Sequence, residues 1–468
     1  MLQFLLVTLV AVLLLILLIA RLKMHPVLAL FAVSLFSGVG YGYGFSATLT
    51  NIASGFGSTL TGIGITIIFG ATLAMGVRDT GAVKSMVNLC IRAFRGKNLE
   101  LSTGLAGFIM SIPVFGDITG VLMVPIVSML GKRSKRSMST MAGFSAAGAN
   151  LTHSLVPPTP GALAMVGLLG ADLGIVILVS TVICLIAYLI TWVLCRGWVA
   201  KEWIEPLPAF SGDVEPVDSD DYRDLLIQED NLPNVALALL PILAPVILIA
   251  AASFASVYAP DSTLSAVLAV VGARDMAMFI GVLLMFGLAY LSKDTVIRNH
   301  TANTGTEVTR FSEVIFGSWL SEALNAAILP LMITAMGGAF STIIKANPAI
   351  ETLGNALASV NFPGVLFPFM LGAILMAAVG SRTTAGMTSA AICAPIMAQL
   401  GLTPLATFLL CGAGTMCFSH LNDSGFWVAI SFYGFTVKQN LKYCTIIGTI
   451  SGVVIFVMCA ALSMFGII

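Results

Sequence analysis

Long apolar stretches alternate with short polar segments along almost the whole chain. They predict helical spans at roughly 2–20, 27–46, 57–76, 173–195, 236–258, 276–292, 314–343 and 444–466. Each is long enough to cross ~30 Å of hydrocarbon as a helix. With the interrupted stretches described next, the pattern predicts an all-α polytopic membrane protein with about 10 transmembrane helices and two re-entrant hairpins.

Four further apolar stretches are interrupted by glycine, proline and polar residues. We expect 100–130 and 362–398 to be the re-entrant hairpins, because basic loops on both flanks of the first favour one side of the membrane. A pair of short full crossings is the alternative interpretation of 100–130. The stretches 140–165 and 403–430 are predicted to be broken helices. Free backbone groups find no partner in hydrocarbon, so these breaks should face protein or a watery cavity near the midplane.

The interruptions recur in the same order in two halves of the chain. Pro125 precedes His153 by 28 residues, and Pro395 precedes His420 by 25 residues. Orienting the spans by their basic loops gives an odd number of crossings per half, which makes the halves inverted repeats. Inverted repeats with broken helices at the midplane are typical of secondary transporters.

The same orientation predicts the domain boundaries. We expect residues 1–196 to form the first inverted repeat and residues 235–468 the second. The segment 197–234 is rich in acidic residues and is predicted to be a mobile cytoplasmic linker without a site.

Composition excludes other classes of protein. The chain is 58% hydrophobic and only 9% charged, whereas a soluble protein is about 25% charged. The expected partner is a lipid bilayer, and no basic block suggests a nucleic acid. The eight cysteines include no C-x-x-C pair and are interpreted as small core residues. No nucleophile–base pair or H-E-x-x-H motif is present, so we expect no enzyme activity, no cofactor and no metal site.

Arg382 is the most informative single residue. A cation at membrane depth costs ~2.5–3.5 kcal/mol and therefore needs a partner or a wet cavity. Its guanidinium group matches the geometry of a carboxylate. Two interpretations are open, in which Arg382 binds an anionic substrate or forms a structural ion pair with Asp117 or Asp423.

The breaks also carry groups that could move protons. A buried carboxyl poised near neutrality can take and release a proton, although aspartate is also a favourable helix N-cap. Imidazole titrates near physiological pH, although each histidine could simply hydrogen-bond a carbonyl freed at its break. The predicted proton-coupling residues are Asp117, Asp423, His153 and His420.

Small hydroxyl and amide side chains crowd the same breaks. Half-helix N-termini can hold an anion while hydroxyl groups bind the hydroxyls of a substrate. Close helix packing through small residues is the alternative. The predicted substrate-binding residues are Asn150, Thr152, His153, Ser381, Arg382, Thr383, Thr384, Ser419 and Asn422.

Several motifs are distributed nearly from end to end of the chain. They are Leu22-Lys-Met-His-Pro-Val-Leu-Ala-Leu30, Thr152-His153, Pro157-Pro-Thr-Pro160, Ala171-Asp-Leu-Gly174, Gly337-Gly-Ala-Phe340, Gly380-Ser381 and Ser419-His-Leu-Asn-Asp-Ser-Gly-Phe-Trp427. With these motifs, of which the last is the most specific, the chain resembles the gluconate:proton symporter (GntP) family of the ion transporter superfamily. The resemblance implies proton-coupled uptake of a small hydroxylated carboxylate across a bacterial inner membrane. Members import gluconate and related sugar acids, and one branch takes D-serine. An elevator-like mechanism in a homodimer is also implied.

Three departures from the family pattern lie at the expected site. Phe115-Gly-Asp-Ile-Thr-Gly120 stands in place of Phe-Tyr-Glu-Val-Gly, Gly380-Ser-Arg-Thr383 in place of Gly-Ser-Ala-Thr, and Pro157-Pro-Thr-Pro-Gly161 in place of Pro-Pro-His-Pro-Gly. Arg382 would occupy volume that a long sugar chain needs, so glycerate competes with gluconate as the expected substrate. Relatives in the superfamily use sodium, so the alternative function is a sodium-coupled carboxylate carrier or a sodium/proton antiporter.

Overall fold

A computed structural model of the protein describes residues 2–112, 116–211, 215–217, 221–228, 231–259, 261–305, 307–308, 310–349, 363–420, 423–466 and 468. These residues are mostly helical, and none of them belongs to a β-strand. The prediction of an all-α protein is therefore confirmed.

Nineteen helices of nine or more residues are found within the described ranges. Those of the first half are α1 (Leu2–Ile16), α2 (Pro26–Gly40), α3 (Phe45–Asp79), α4 (Ala82–Ala93), α5 (Leu99–Met110), α6 (Gly116–Arg133), α7 (Met138–Leu155), α8 (Pro160–Leu169) and α9 (Leu173–Val199). Those of the second half are α10 (Val235–Tyr258), α11 (Thr263–Val271), α12 (Arg274–Leu291), α13 (Lys293–Thr304), α14 (Trp319–Lys345), α15 (Leu366–Val379), α16 (Arg382–Cys393), α17 (Pro404–Thr415), α18 (Ser424–Tyr433) and α19 (Ile446–Met464). Shorter helical turns include Pro208–Ser211 and Val437–Asn440.

Several helices are long and apolar enough to cross a membrane. Among the described residues five helices meet this condition, and a sixth does if the bent helix α3 is one span. Helices α2, α5, α15 and α17 are apolar but shorter. The expected number of about 10 crossings stays a prediction.

Helix α3 differs from the span predicted at 57–76. It begins at Phe45 and continues to Asp79 with a bend of 47° between Gly62 and Gly64. The sequence understated its length because its first half is rich in threonine and glycine. Thr48 and Thr59 donate their hydroxyl protons to carbonyls four residues earlier, which satisfies these polar side chains inside the helix.

The helices break where the chain carries its polar interruptions. In the first half α5 is followed by α6, and α7 by α8; in the second half α15 is followed by α16, and α17 by α18. A long helix precedes each set (α3 and α14), and a long apolar helix follows it (α9 and α19). Among the described residues, each half thus contains two broken pairs of helices followed by a long apolar helix.

Glycine allows the same close helix contact in each half. A Cβ atom on Gly148 of α7 would lie 2.1 Å from the carbonyl oxygen of Gly104 on α5. A Cβ atom on Gly414 of α17 would lie 2.2 Å from the carbonyl oxygen of Phe369 on α15. Real Cβ atoms do not approach so closely, so these backbones touch only because the side chains are absent.

The linker between the halves packs against helices where it is described. Asn88 of α4 exchanges two hydrogen bonds with the backbone of Ile227, at 2.8 and 2.9 Å, and Ser85 donates to the carbonyl of Pro233 at 2.7 Å. These contacts hold the stretch around Ile227 and Pro233 against α4, where the sequence predicted a solvated linker. The acidic composition of a segment indicates that it is polar. It does not reveal which of its backbone groups will hydrogen-bond to a side chain far away in the sequence.

Glu202, at the start of the linker, joins the two halves. Its carboxylate accepts hydrogen bonds from Lys442 Nζ at 2.8 Å, from Gln439 Nε2 at 2.9 Å and from the Tyr443 hydroxyl. Lys442, followed by Tyr443 and Gln439, lowers the pKa of Glu202 to about 2. The carboxylate is therefore ionised throughout the physiological pH range.

We predict that Gly148→Ala lowers the stability of the protein, whereas Gly57→Ala does not. The new methyl group at 148 meets backbone, and overpacking typically costs ~1–3 kcal/mol. Gly57 lies in helix α3 with nothing within 4 Å of its Cβ position, so alanine there removes only backbone entropy from the unfolded state. Thermal unfolding of both purified variants in detergent measures the difference. Equal melting temperatures would contradict the close α5–α7 contact.

Candidate functional site

A polar cavity of about 120 Å³ lies where the breaks converge. Helices α6 and α7, the turn between α15 and α16, the break before α18 and the segment before α19 all contribute to its wall. Its polar lining consists of Thr119, Ser145, Asn150, His153, Ser381, Arg382, Thr383, Ser419, Asp423, Tyr433 and Asn440. Six of the predicted substrate-binding residues are in this list: Asn150, His153, Ser381, Arg382, Thr383 and Ser419.

An ion pair between Arg382 and Asp423 lies in this cavity. Arg382 Nη1 is 3.0 Å from Asp423 Oδ2, and the side chains are 13% and 5% exposed. Of the two partners considered for Arg382, the structure places Asp423 beside it. The pair brings together the N-terminus of α16 and the break before α18.

The Asp423 carboxylate also accepts hydrogen bonds from both sides of the helix break that precedes α18. Its Oδ2 atom accepts a hydrogen bond from Ser419 Oγ at 2.5 Å. Its Oδ1 atom accepts from the backbone N–H of Gly425 at 2.9 Å, which makes Asp423 the N-cap of α18. The capping role and a place at the cavity, which were alternatives in the sequence, are thus combined in one side chain.

The turn between α15 and α16 presents Arg382 to the cavity. Gly380 has a φ of +74°, a conformation that glycine adopts without strain, and it ends α15. Ser381 then caps α16 by accepting a hydrogen bond from Thr384 N at 3.3 Å. Arg382 is therefore the first residue of a helix, where the helix dipole favours anions. Its buried Nε atom has no hydrogen-bond partner within the described part of the chain.

His153 connects the first broken segment to this turn. Its Nε2 atom lies 3.3 Å from the Thr383 hydroxyl. Gly161, just after the break between α7 and α8, lies against the same threonine: a Cβ atom there would be 3.2 Å from Thr383 Cγ2. The first half therefore contacts the cation-bearing helix through His153 and Gly161.

Three predicted site residues do not line the cavity. Thr152 is fully buried and donates its hydroxyl proton to the carbonyl of Phe108 at 2.9 Å. Thr384 is buried within α16. His420 Nε2 lies 2.9 Å from the carbonyl oxygen of Ala377, so this histidine contacts α15.

Two further predicted residues cannot be placed. Asn422 lies outside the described residues, and so does the side chain of Asp117. Among the described residues, no three histidine, cysteine, aspartate or glutamate side chains are grouped as a metal site would require.

Sequence reasoning missed four polar residues of the cavity: Thr119, Ser145, Tyr433 and Asn440. Thr119 belongs to the polar interruption of the apolar stretch 100–130, which was a usable signal. Asn440 follows Lys438 and Gln439 in a polar stretch that is typical of a loop, yet the residue is completely buried.

Comparison with known proteins identifies the family of the chain. A model of the GntP family permease matches residues 3–465. The chain belongs to the GntP permease family. A GntP permease is a membrane transporter and not an enzyme, as the sequence predicted, and the apolar helices fit a multi-pass bacterial membrane protein.

Individual relatives cover nearly the whole chain. A gluconate permease of Pseudomonas aeruginosa is 28% identical over 461 residues, which are 97% of this chain and 96% of the relative. The D-serine transporter DsdX of Escherichia coli is 29% identical over 450 residues, 95% of each protein. The YdaH transporter of Alcanivorax borkumensis has a similar fold, with a TM-score of 0.58 and 15% identity over 91% of this chain and 90% of that one.

We predict that Asp423→Ala destabilises this GntP permease much more than Asp172→Ala. Both aspartates cap helices, since Asp172 accepts a hydrogen bond from Ile175 N at 2.8 Å on an exposed surface. Loss of a cap costs about 0.5–2 kcal/mol in either place. Only Asp423→Ala leaves a buried cation unpaired, which costs a further ~3–5 kcal/mol. The free energies of unfolding of both variants give the comparison, and similar losses would show that the ion pair contributes little.

Proposed function

We propose that this GntP permease imports a small hydroxy-carboxylate, such as glycerate, gluconate or a similar sugar acid, by proton symport. The observation that carries the proposal is the Arg382–Asp423 pair in a polar cavity at the helix breaks. An arginine at a helix N-terminus supplies donors and positive potential for a carboxylate. The named relatives transport gluconate and D-serine, and both molecules combine a carboxylate with a hydroxyl group.

The lining of the cavity favours a short, hydroxylated acid. Ser381, Thr383 and Ser419 present hydroxyl groups beside Arg382, and Asn150 adds an amide. Such groups hydrogen-bond the hydroxyls of a substrate that is taken out of water. Arg382 itself occupies part of the space, which supports a three-carbon acid over a six-carbon one.

Coupling to protons follows from competition for Arg382. When a substrate carboxylate binds Arg382, Asp423 loses its counter-charge while it remains 3% exposed. An ionised carboxylate is costly to bury without a partner, so we expect Asp423 to take up a proton as the substrate enters. The anion and the proton then cross together.

The other predicted proton-coupling residues keep secondary roles in the proposal. His153 lines the cavity and contacts Thr383, so it can pass a proton toward the Arg382 turn. Asp117 and His420 stay predictions of the sequence.

We also propose that residues 1–196 and 235–468 are inverted repeats that work as an elevator. The repeated order of helices and the matched glycine contacts support this relation. In this scheme the long helices α3 and α14, which pack along each other, belong to the scaffold, and the hairpins and broken helices carry the cavity. A homodimer in the bacterial inner membrane completes the proposal.

A sodium-driven carrier or a sodium/proton antiporter is less well supported. Arg382 would repel a cation held in the same cavity, whereas it attracts an anion. Binding measurements separate these functions.

We predict that one short hydroxy acid stabilises the purified protein against heat, with no requirement for sodium. A ligand at ~100 times its Kd stabilises a folded protein by ~2.7 kcal/mol, which melting curves detect. The panel contains glycerate, gluconate, lactate and D-serine, each measured with sodium and with choline as the counter-ion. A shift with sodium alone and with none of the acids would favour the cation carrier.

We predict that Asp423→Asn abolishes uphill uptake in proteoliposomes while exchange of internal for external substrate continues. Asparagine keeps an acceptor and the helix cap but cannot bind and release a proton at neutral pH. Asp172→Asn is the matched control, because it changes an exposed cap in the same way. Accumulation driven by a pH gradient in the Asp423→Asn variant would overturn the assignment of this carboxyl.

A further inference from the structure

Asn440 is a buried polar residue of the cavity that neither the ion pair nor the predicted site accounts for. It ends the short helix Val437–Asn440 in the connector between α18 and α19. The side chain is 0% exposed to solvent and lines the same cavity as Arg382.

The orientation of the Asn440 amide is determined by one hydrogen bond. Its Nδ2 atom donates to the carbonyl oxygen of Phe426 at 2.8 Å. Because a carbonyl oxygen only accepts hydrogen bonds, the amide nitrogen of Asn440 must face Phe426, and Oδ1 points away from that carbonyl. Oδ1 is buried and has no hydrogen-bond partner among the described residues. A buried acceptor without a donor is unfavourable, so a hydrogen bond from a ligand to Oδ1 would be favourable.

The connector holds Asn440 in place from both sides. Gln439 donates to Glu202 and forms a capping box with Thr436. Lys442 and Tyr443 bind the same Glu202 carboxylate. The position of Asn440 is therefore set before any ligand enters, which is what a selective contact requires.

The cavity thus offers unpaired groups of opposite character. Arg382 Nε is a donor without a partner, and Asn440 Oδ1 is an acceptor without one, both within the described part of the protein. A hydroxy acid carries the complementary groups, since its carboxylate accepts and its hydroxyl donates.

We propose that Asn440 Oδ1 accepts a hydrogen bond from a hydroxyl group of the transported acid and so selects hydroxy acids over their deoxy analogues. The inference rests on the proposed function, because it assumes that a carboxylate binds at Arg382. It adds a specificity-determining residue from the connector, which Glu202 positions.

The test compares two pairs of acids on two proteins. Glycerate is measured against 3-hydroxypropionate, and lactate against propionate, by calorimetric titration of the purified permease and of Asn440→Leu. Leucine has a similar size but cannot accept a hydrogen bond. For the wild type we expect the hydroxy acid of at least one pair to bind about 10- to 100-fold more tightly, as the loss of a buried hydrogen-bond partner predicts. In Asn440→Leu this ratio should fall to about 1–3, and the deoxy acid should bind as before.

Asn88→Leu is the matched control. It removes another buried asparagine that is hydrogen-bonded to backbone, but Asn88 lies on α4 away from the cavity. We expect the ratio of affinities to remain that of the wild type. If Asn440→Leu gives no folded protein, Asn440→Ser takes its place, because its shorter side chain cannot reach the same position and should show the same loss of preference.

The outcomes separate this proposal from the proposed function. An unchanged preference for the hydroxy acid in a folded Asn440 variant would overturn the role of Asn440 and would indicate that a water molecule meets Oδ1. If the wild type binds the two acids of each pair equally tightly, the role of Asn440 is overturned as well. If the wild type binds none of the four acids, the preference for a three-carbon acid and the role of Asn440 in selecting it both fail. If it does not bind gluconate either, the proposed function fails as well.

Discussion

The buried ion pair between Arg382 and Asp423 is the interaction on which the cavity depends. A cation and a carboxylate at membrane depth are each costly, and they are tolerated because they are paired and hydrogen-bonded. Asp423 also caps α18 and accepts a hydrogen bond from the Ser419 hydroxyl. One carboxylate therefore ends a helix break, starts the next helix and neutralises the arginine.

Close helix packing holds the broken segments around this pair. In both halves the helix before the first break (α5 or α15) touches the helix before the second break (α7 or α17) at glycine, through backbone contacts that leave no room for a side chain. Such contacts provide van der Waals packing where lipid offers no hydrophobic driving force between helices. The contact in the second half brings α15 beside α17, and the turn with Arg382 follows α15 while the break with Asp423 follows α17.

The linker contributes more than a connection between the halves. Glu202 binds Lys442, Gln439 and Tyr443 near the second break, and Asn88 holds the chain farther along at Ile227. The segment that supplies Asn440 to the cavity is thereby hydrogen-bonded to the linker at Glu202. Gln439, Asn440 and Lys442 lie within four consecutive positions of the chain. The hydrogen bonds to Glu202 and the buried side chain of Asn440 therefore belong to the same short segment.

The sequence by itself determined the all-α class, the places where the helices break and the need of Arg382 for a partner. These properties depend on hydropathy and on the cost of a charge in hydrocarbon, which are local. Only the tertiary structure decided that Asp423 lies beside Arg382, that Thr152 and His420 face the carbonyls of Phe108 and Ala377, and that Asn440 is buried. The direction of a side chain around its helix depends on what packs against that helix, and residues far apart in the chain supply those neighbours.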